Sequence, residues 1–497
     1  MARTAQDSPQ KGITLLGLGP GDPGALTREA WDWISVIDKL YLRTNQHPVI
    51  DSLPGDLRLV SFDDIYEQSD DFASVYTKII EKVLLLGQSQ EGVTYAVPGH
   101  PFVAEETCPE IFKRANEAGI PVRVIDGLSF LEPTFSALGL DPFPDLVLAD
   151  AMRLSMRQTP ELPPSSPTLI AQIYSRNIAS DVKLTLMSAY PDDHPIRLVH
   201  GAGTKSELVE DLPLHEIDRS PHLGLLSSLF VPPISRNASF ESFQEIIARL
   251  RAPDGCPWDR EQTHDSLRPF LIEEAYEALD ALDRKDMVDL EEELGDLLLQ
   301  IVLHAQIATE NGDFNIHHVL EGIGNKLVRR HPHVFKEIEV EDVAGVIQNW
   351  EAIKAEERQG NGESGKKGLL DGVPKALPAL LQAEEVIERV GRVDFNLLAE
   401  KGKLERIRKI LNELETSDND EKARLFGELL LAVSSLAHQA GVDAESALRE
   451  ALAQFRQRFG VMENEALVSG ERLVELSDEE KAQLWQKATR ESKLEGH

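Results

Sequence analysis

Two couplets of acids, Glu274-x-x-Glu277 and Glu293-x-x-Asp296, carry the most telling chemistry in this sequence. A spacing of three puts both acids of a couplet on one helix face. Two such helices packed side by side focus four negative charges on one small volume. That costs several kcal/mol unless a hard divalent cation offsets it, and oxygen-only ligands suit Mg²⁺. The apolar run Leu297-Leu298-Leu299 follows Asp296 directly, so the acids stand at the edge of a packed core. The pattern predicts a metal site built for phosphate chemistry.

The elements that must hold these acids are long amphipathic helices, which set in from Ser239 with almost no β-branched runs. Residues 356–373 are polar and Gly-rich and read as a linker, and a second helical block runs from Pro374 to about Lys493. The two blocks read as diverged copies of one unit. Gly295-Asp296-Leu297-Leu298-Leu299 has a counterpart in Gly427-Glu428-Leu429-Leu430-Leu431. Lys326-Leu327-Val328-Arg329-Arg330 matches Gln454-Phe455-Arg456-Gln457-Arg458, and Trp350 matches Trp485 more loosely. In the second copy the acid positions fall at Arg406, Lys409, Leu425 and Glu428. Two cations in place of two acids cannot hold Mg²⁺ in the same way, so the second copy is expected to be a structural half.

Ahead of the helices, to about residue 230, short strands alternate with helical patterns. Ile13–Leu18, Val93–Val97, Val122–Ile125 and Leu198–Val199 are expected strands, bounded by Gly or Pro, which predicts an α/β sheet. A Pro-rich junction, Val231-Pro232-Pro233-Ile234-Ser235, closes this part. Glycine loops follow three of the strands: Gly17-Leu18-Gly19-Pro20-Gly21-Asp22-Pro23, Pro98-Gly99-His100-Pro101 and Asp126-Gly127-Leu128-Ser129-Phe130. Loops at the carboxyl ends of successive strands are where open α/β sheets bind ligands. The first loop lacks the third glycine of the dinucleotide fingerprint.

At 497 residues the chain is too long for a single core. Its 51 basic against 85 acidic residues give a net charge of −34, which disfavours nucleic acid and anionic lipid as main partners. Cys108 and Cys256 form no disulfide framework or zinc pattern. The N-terminus lacks an apolar signal core, and the run Leu297–Ala308 is too short to span a bilayer. The expectation is a soluble, cytoplasmic protein.

Five stretches in register closely resemble the MazG family of all-α nucleoside triphosphate pyrophosphohydrolases. They are Gly255-Cys256-Pro257-Trp258-Asp259, Gln262-Thr263-His264, Glu273-Glu274-Ala275-Tyr276-Glu277, Glu292-Glu293-Leu294-Gly295-Asp296-Leu297-Leu298 and Arg329-Arg330-His331-Pro332-His333-Val334-Phe335. The resemblance covers roughly residues 238–355. It implies cleavage between the α- and β-phosphates, with Glu274, Glu277, Glu293 and Asp296 as catalytic Mg²⁺ ligands. It also implies that Lys326 and Arg330 hold the triphosphate, with Arg329 and Lys354 as further candidates. Trp350 and Trp258 are candidates for contact with the nucleotide. His264, His331 and His333 have the wrong spacing to share the metal with the acids, so packing or helix-terminal roles are expected.

The glycine loops together resemble the tetrapyrrole (corrin/porphyrin) methylase family, over roughly residues 11–230. That resemblance implies S-adenosylmethionine held by Gly17, Gly19, Gly21, Asp22, Pro98, Gly99, His100 and Ser129. The second loop departs from the family's Pro-Gly-Asp-Pro by carrying His100, which puts the methyl acceptor in doubt.

The expected architecture is thus multidomain: a methylase-like α/β domain over 11–232, a MazG-like unit over 238–355, a linker over 356–373, and a degenerate MazG-like unit over 374–493. This order resembles bacterial fusion proteins that join the two families. The expected activity is Mg²⁺-dependent hydrolysis of nucleoside triphosphates to monophosphate and pyrophosphate, with a possible homodimer. The rival readings make the methyltransferase the principal activity, or make the first domain a metabolite sensor.

Overall fold

The computed structural model describes residues 11–67, 72–235, 237–336, 338, 342–343, 345–346, 349–350, 352–353, 357, 368–393, 395 and 402–494. By contact the chain divides into two compact units, Met1–Arg260 and Glu261–His497.

The first unit holds two five-stranded sheets. Strands β1 (Ile13–Gly17), β2 (Lys39–Leu42), β3 (Arg58–Ser61), β4 (Val93–Val97) and β5 (Val122–Ile125) form a parallel sheet in the order β3-β2-β4-β1-β5. All five residues of central β1 are buried, as a parallel strand covered on both faces requires. Its side chains alternate between two cores. Ile13 and Leu15 pack with Val75, Ile79 and Val83 of the helix Phe72–Gly87, whereas Leu16 packs with Ala30, Trp33 and Ile34 of the helix Arg28–Ile34. The second sheet is mixed, β6-β7-β10-β8-β9, built from β6 (Val147–Asp150), β7 (Thr168–Ala171), β8 (Pro195–His200), β9 (Leu208–Pro213) and β10 (Ser227–Val231).

All four expected strands form, as β1, β4, β5 and β8, within one or a few residues of the expected ends. The other six escape a periodicity reading because they are four to six residues long and, β10 excepted, carry mixed burial, as in the partly exposed β9. The helix Phe240–Arg251 falls in the first unit, although the sequence groups it with the helical block. Its N-cap Ser239 is tied to that unit by a 2.8 Å hydrogen bond donated from Ser165 Oγ. The domain limits read from the sequence are finer than this two-way division and stand as proposals.

The second unit is helical: α1 (Arg268–Arg284), α2 (Met287–Asn311), α3 (Ile316–Arg330), α4 (Pro332–Phe335), α5 (Ala379–Gly391), α6 (Lys403–Thr416), α7 (Asn419–Gln439), α8 (Ala444–Val468) and α9 (Asp478–Leu494). Only Lys285 and Asp286 separate α1 from α2. Lys285 takes the left-handed conformation that ends α1, and Asp286 Oδ1 accepts from the Val288 and Asp289 amides to start α2. A turn this short forces the two helices to lie antiparallel as neighbours. A two-residue turn with an aspartate N-cap recurs where Ser417, here extended, and Asp418 join α6 to α7. Among the described residues, no single helix is long and apolar enough to cross a membrane.

Candidate metal and nucleotide site

The α1–α2 hairpin arranges the four acids by arithmetic. Glu277 lies eight residues before Lys285 and Glu293 eight after it, while Glu274 and Asp296 lie eleven before and after. In an antiparallel pair, equal distances from the turn stand side by side, so Glu277 faces Glu293 and Glu274 faces Asp296. Carboxylate oxygens of Glu274, Glu277 and Glu293 come within 4.8 Å of one another. Asp296 lies outside that trio but close enough to act on it by charge.

The electrostatics follow the same pairing. The Glu274 carboxyl is held above its ordinary value by partial desolvation first, then by Asp296 and Glu277. The Glu293 carboxyl is raised by desolvation, then by Glu277, Asp289 and Asp296. In each, the strongest like-charge neighbour named is the residue across the hairpin. Two strained carboxyls among four clustered acids, offering only oxygen donors, fit a hard cation such as Mg²⁺.

The candidate cations lie at the carboxyl end of α3. Lys326 is exposed. Arg329 and Arg330 both engage Glu357, and the Arg330 guanidinium lies 5.4 Å from the centre of the Trp350 ring. Lys354 lies outside the described residues. Trp258 belongs to the first unit, in the short helix Pro257–Glu261, and is 58% exposed.

None of the three histidines joins the trio. His331 ends α3, its Nδ1 2.8 Å from the Leu327 carbonyl, and its ring meets that of His333 edge-on. His264 pairs instead with His304 of α2, Nδ1 to Nδ1 at 2.7 Å, with rings almost parallel. Sequence spacing could not reveal that pair, since the partners are forty residues apart.

In the first unit the glycine loops meet backbone to backbone. A Cβ on Gly17 would stand 2.5 Å from the Gly99 carbonyl oxygen and 2.6 Å from the Gly127 nitrogen, so no larger residue fits. Gly19 and Gly99, both at positive φ, exchange hydrogen bonds: Gly99 N donates to Gly19 O at 2.8 Å and Gly19 N to Gly99 O at 3.2 Å. Gly19, Pro98 and Gly99 then line a cavity of about 170 Å³ with Arg43, His47, Glu105 and Gln172. The Gly17–Gly99–Gly127 approach holds these loops together, and the cavity walled by Gly19 and Gly99 fits a ligand that lies against the backbone.

The remaining loop candidates shape the loops. Asp22 Oδ1 accepts from Gly24 N at 2.7 Å, beside Gly21 at positive φ. Ser129 donates to Glu132 and accepts from Leu131 N at the start of the helix Leu131–Leu138. His100 shapes the second loop: its Nδ1 accepts from Phe102 N at 3.0 Å. Its Nε2 lies 3.5 Å from Asp126.

Sequence reasoning missed Arg43, His47 and Glu105. Arg43 is a buried cation beside Glu105, its guanidinium also bonded to Tyr66 and Tyr76. Burial holds the His47 ring below its ordinary pKa. The signal was their position just after β2 and in the loop after β4, at the same sheet edge as the glycines.

The sequence profile described as the MazG nucleotide pyrophosphohydrolase domain matches residues 262–335, and that of the tetrapyrrole (corrin/porphyrin) methylases matches residues 12–218. The chain is similar to the uncharacterized protein YabN of Bacillus subtilis, 40% identical over 96% of this chain and 98% of YabN. It is also similar to the nucleoside triphosphate pyrophosphohydrolase/pyrophosphatase MazG of Thermotoga maritima, 43% identical over 50% of this chain and 95% of that protein. Among solved structures, uroporphyrin-III-C-methyltransferase from Thermus thermophilus aligns with a TM-score of 0.35 at 22% identity, over 45% of this chain and 92% of that one.

Proposed function

This chain belongs to the family in which a tetrapyrrole methylase domain precedes a MazG nucleotide pyrophosphohydrolase domain, and we propose that it hydrolyses nucleoside triphosphates to the monophosphate and pyrophosphate with Mg²⁺. The observation that carries this reading is the hairpin that gathers Glu274, Glu277 and Glu293 within 4.8 Å, with Asp296 beside Glu274. When bound, Mg²⁺ supplies positive charge to phosphate oxygens and lowers the pKa of a coordinated water. The protein's share is to hold the ligand oxygens on one short-turned hairpin, where each helix fixes the other. Lys326, Arg329 and Arg330 offer N–H groups to the phosphates, and Arg suits bidentate contact. Trp350 stacks on the base, with Lys354 as a further contact.

Pyrophosphate release over a panel of ordinary and damaged nucleoside triphosphates tests this directly. Glu293→Ala should abolish release and Glu428→Ala should not. Orthophosphate in place of pyrophosphate would sink the reaction class.

The glycine cradle of the first unit supports S-adenosylmethionine as its ligand, and we assign that domain a methyltransferase or sensor role. Calorimetry with S-adenosylmethionine, followed by methyl transfer to tetrapyrrole acceptors, separates the two. Binding without turnover leaves the sensor.

We further infer a homodimer through the helical unit. Leu294, Leu298 and Ile301 of α2 are 52%, 38% and 43% exposed, and Leu320, Ile323 and Leu327 of α3 are similarly bare. Apolar helix faces of this extent mark an interface. A monomer by light scattering at micromolar concentration would overturn it.

A further inference from the structure

Beyond the acids, a polar cluster of the second unit gathers around Glu357. Its carboxylate accepts from two consecutive arginines. Arg329 donates from Nε to Oε1 at 2.7 Å, and its Nη2 lies 2.6 Å from the same oxygen as an ion pair. Arg330 donates from Nε to Oε1 at 3.2 Å and from Nη2 to Oε2 at 2.6 Å. The Arg330 and Glu357 side chains are only 12% and 16% exposed. Arg330 meanwhile lies over Trp350, within the range of a cation–π contact.

We propose that Glu357 is a positioning residue for nucleoside triphosphate binding: it locks the Arg329 and Arg330 guanidinium groups and seats Arg330 on Trp350, so that cationic clamp and aromatic ring are set before the nucleotide arrives. This rests on the pyrophosphohydrolase reading above.

Three observations support it. First, two cations at consecutive positions repel, and one carboxylate between them holds both in place. The cluster keeps one net positive charge, two arginines against one glutamate, to meet phosphate. Second, of the five N–H donors on each guanidinium, Arg330 commits two and Arg329 one to hydrogen bonds with Glu357, so donors remain for an incoming anion. The arginines, Arg330 foremost, hold the Glu357 carboxyl down at about 2, so it remains ionised at any working pH.

Third, the internal repeat provides a control. Glu357 stands seven residues after Trp350, and seven after the matching Trp485 stands Ser492. Arg329 is matched by Gln457. Trp485 packs on Phe455, ring centres 5.0 Å apart. The copy that keeps only Glu428 of the four acids also lacks this carboxylate and the first arginine. Were Glu357 needed only to hold the fold, the structural copy would have equal use for it.

The test uses the full chain with Mg²⁺ and the best substrate from a panel of the ordinary ribo- and deoxyribonucleoside triphosphates. Glu357→Gln should raise KM about tenfold, the worth of one charge-assisted hydrogen bond, with kcat within about threefold. Glu357→Asp, which keeps the charge, should recover part of the loss. Should Glu357→Gln fail to fold, Glu357→Asp carries the same prediction with a smaller rise in KM, and an unchanged KM in that variant would overturn the proposal. A lowered KM in Glu357→Gln would mean that the carboxylate blocks the clamp, and would overturn the proposal. An unchanged KM, or a loss confined to kcat, would overturn it equally. If wild type releases no pyrophosphate from any triphosphate, the reading of the site itself fails. An active wild type matched by Glu357→Gln defeats only this inference.

Discussion

Arg406 Nη2 lies 2.6 Å from Glu428 Oε2, and the two stand where the first hairpin has Glu274 and Asp296. Arg406 is eleven residues before Ser417, and Glu428 is eleven after it. The second hairpin therefore repeats the spacing of the first, with a guanidinium where the first has the Glu274 carboxylate. Arg424 adds a second contact to Glu428. Leu425, at the position of Glu293, is 1% exposed and belongs to the core.

It follows that the second hairpin needs no metal. Arg406→Ala and Glu428→Ala should leave pyrophosphate release within about twofold of wild type, since exposed ion pairs contribute at most about 1 kcal/mol to stability. Glu293→Ala should lower it by more than about 100-fold, given that even outer-shell changes at metal sites cost 10–100-fold. Steady-state release under saturating Mg²⁺ makes the comparison. Loss of activity in Glu428→Ala alone would reassign the active copy.

The raised carboxyls of Glu274 and Glu293 set a pH dependence in the absence of metal. The folded state binds their protons more tightly than the unfolded chain does, so stability falls as pH rises from the ordinary glutamate value through the raised folded values. Above that window the penalty is constant and Mg²⁺ removes it. Added Mg²⁺ should therefore raise the melting temperature more at pH 7 than at pH 5, because protons compete for the same oxygens. Scanning calorimetry at the two pH values reads this. An equal shift at both would place the bound metal elsewhere.

The same two hairpins show what was legible in the sequence. Helix, spacing and turn are local, so Glu274-x-x-Glu277 and Glu293-x-x-Asp296 could be placed on facing helices from the chain alone. The repeat could be read for the same reason. The Gly17–Gly99–Gly127 contact was half legible: the loops were visible, but their mutual approach depends on the order β4-β1-β5. Arg43, Glu105, Glu357 and the His264–His304 pair were not legible. Each depends on a partner twenty-seven to sixty-two residues away, and no periodicity encodes such a distance.

The His264–His304 pair ties the segment before α1 to the middle of α2, the helix that carries Glu293 and Asp296. Burial, then the neighbouring His264, holds the His304 ring below its ordinary value. The sign is opposite to that of the acids. A folded state that disfavours the His304 proton loses stability as pH falls from the ordinary histidine value of 6.5 through the lowered one. His304→Gln should flatten the dependence of unfolding free energy on pH in that range. Urea titrations at pH 7 and pH 5.5 measure it, and an unchanged slope would show that the pair carries no proton-linked stability.

Gly17 offers the sharpest test of the first unit. The Cβ of an alanine there would sit 2.5 Å from one backbone carbonyl and 2.6 Å from a backbone nitrogen, and neither can swing aside as a side chain would. The clash must part β1 from the loops after β4 and β5, at about 1–3 kcal/mol or more for an overpacked site. The Gly19–Gly99 exchange sits on the same edge and would open with it. Gly17→Ala should therefore abolish S-adenosylmethionine binding by calorimetry, while pyrophosphate release by the second unit persists. Gly119→Ala serves as the control: it lies at positive φ but with nothing within 4 Å of its Cβ, so it should cost some stability and leave binding intact. Retained binding in Gly17→Ala would show that the cradle is not where the ligand sits.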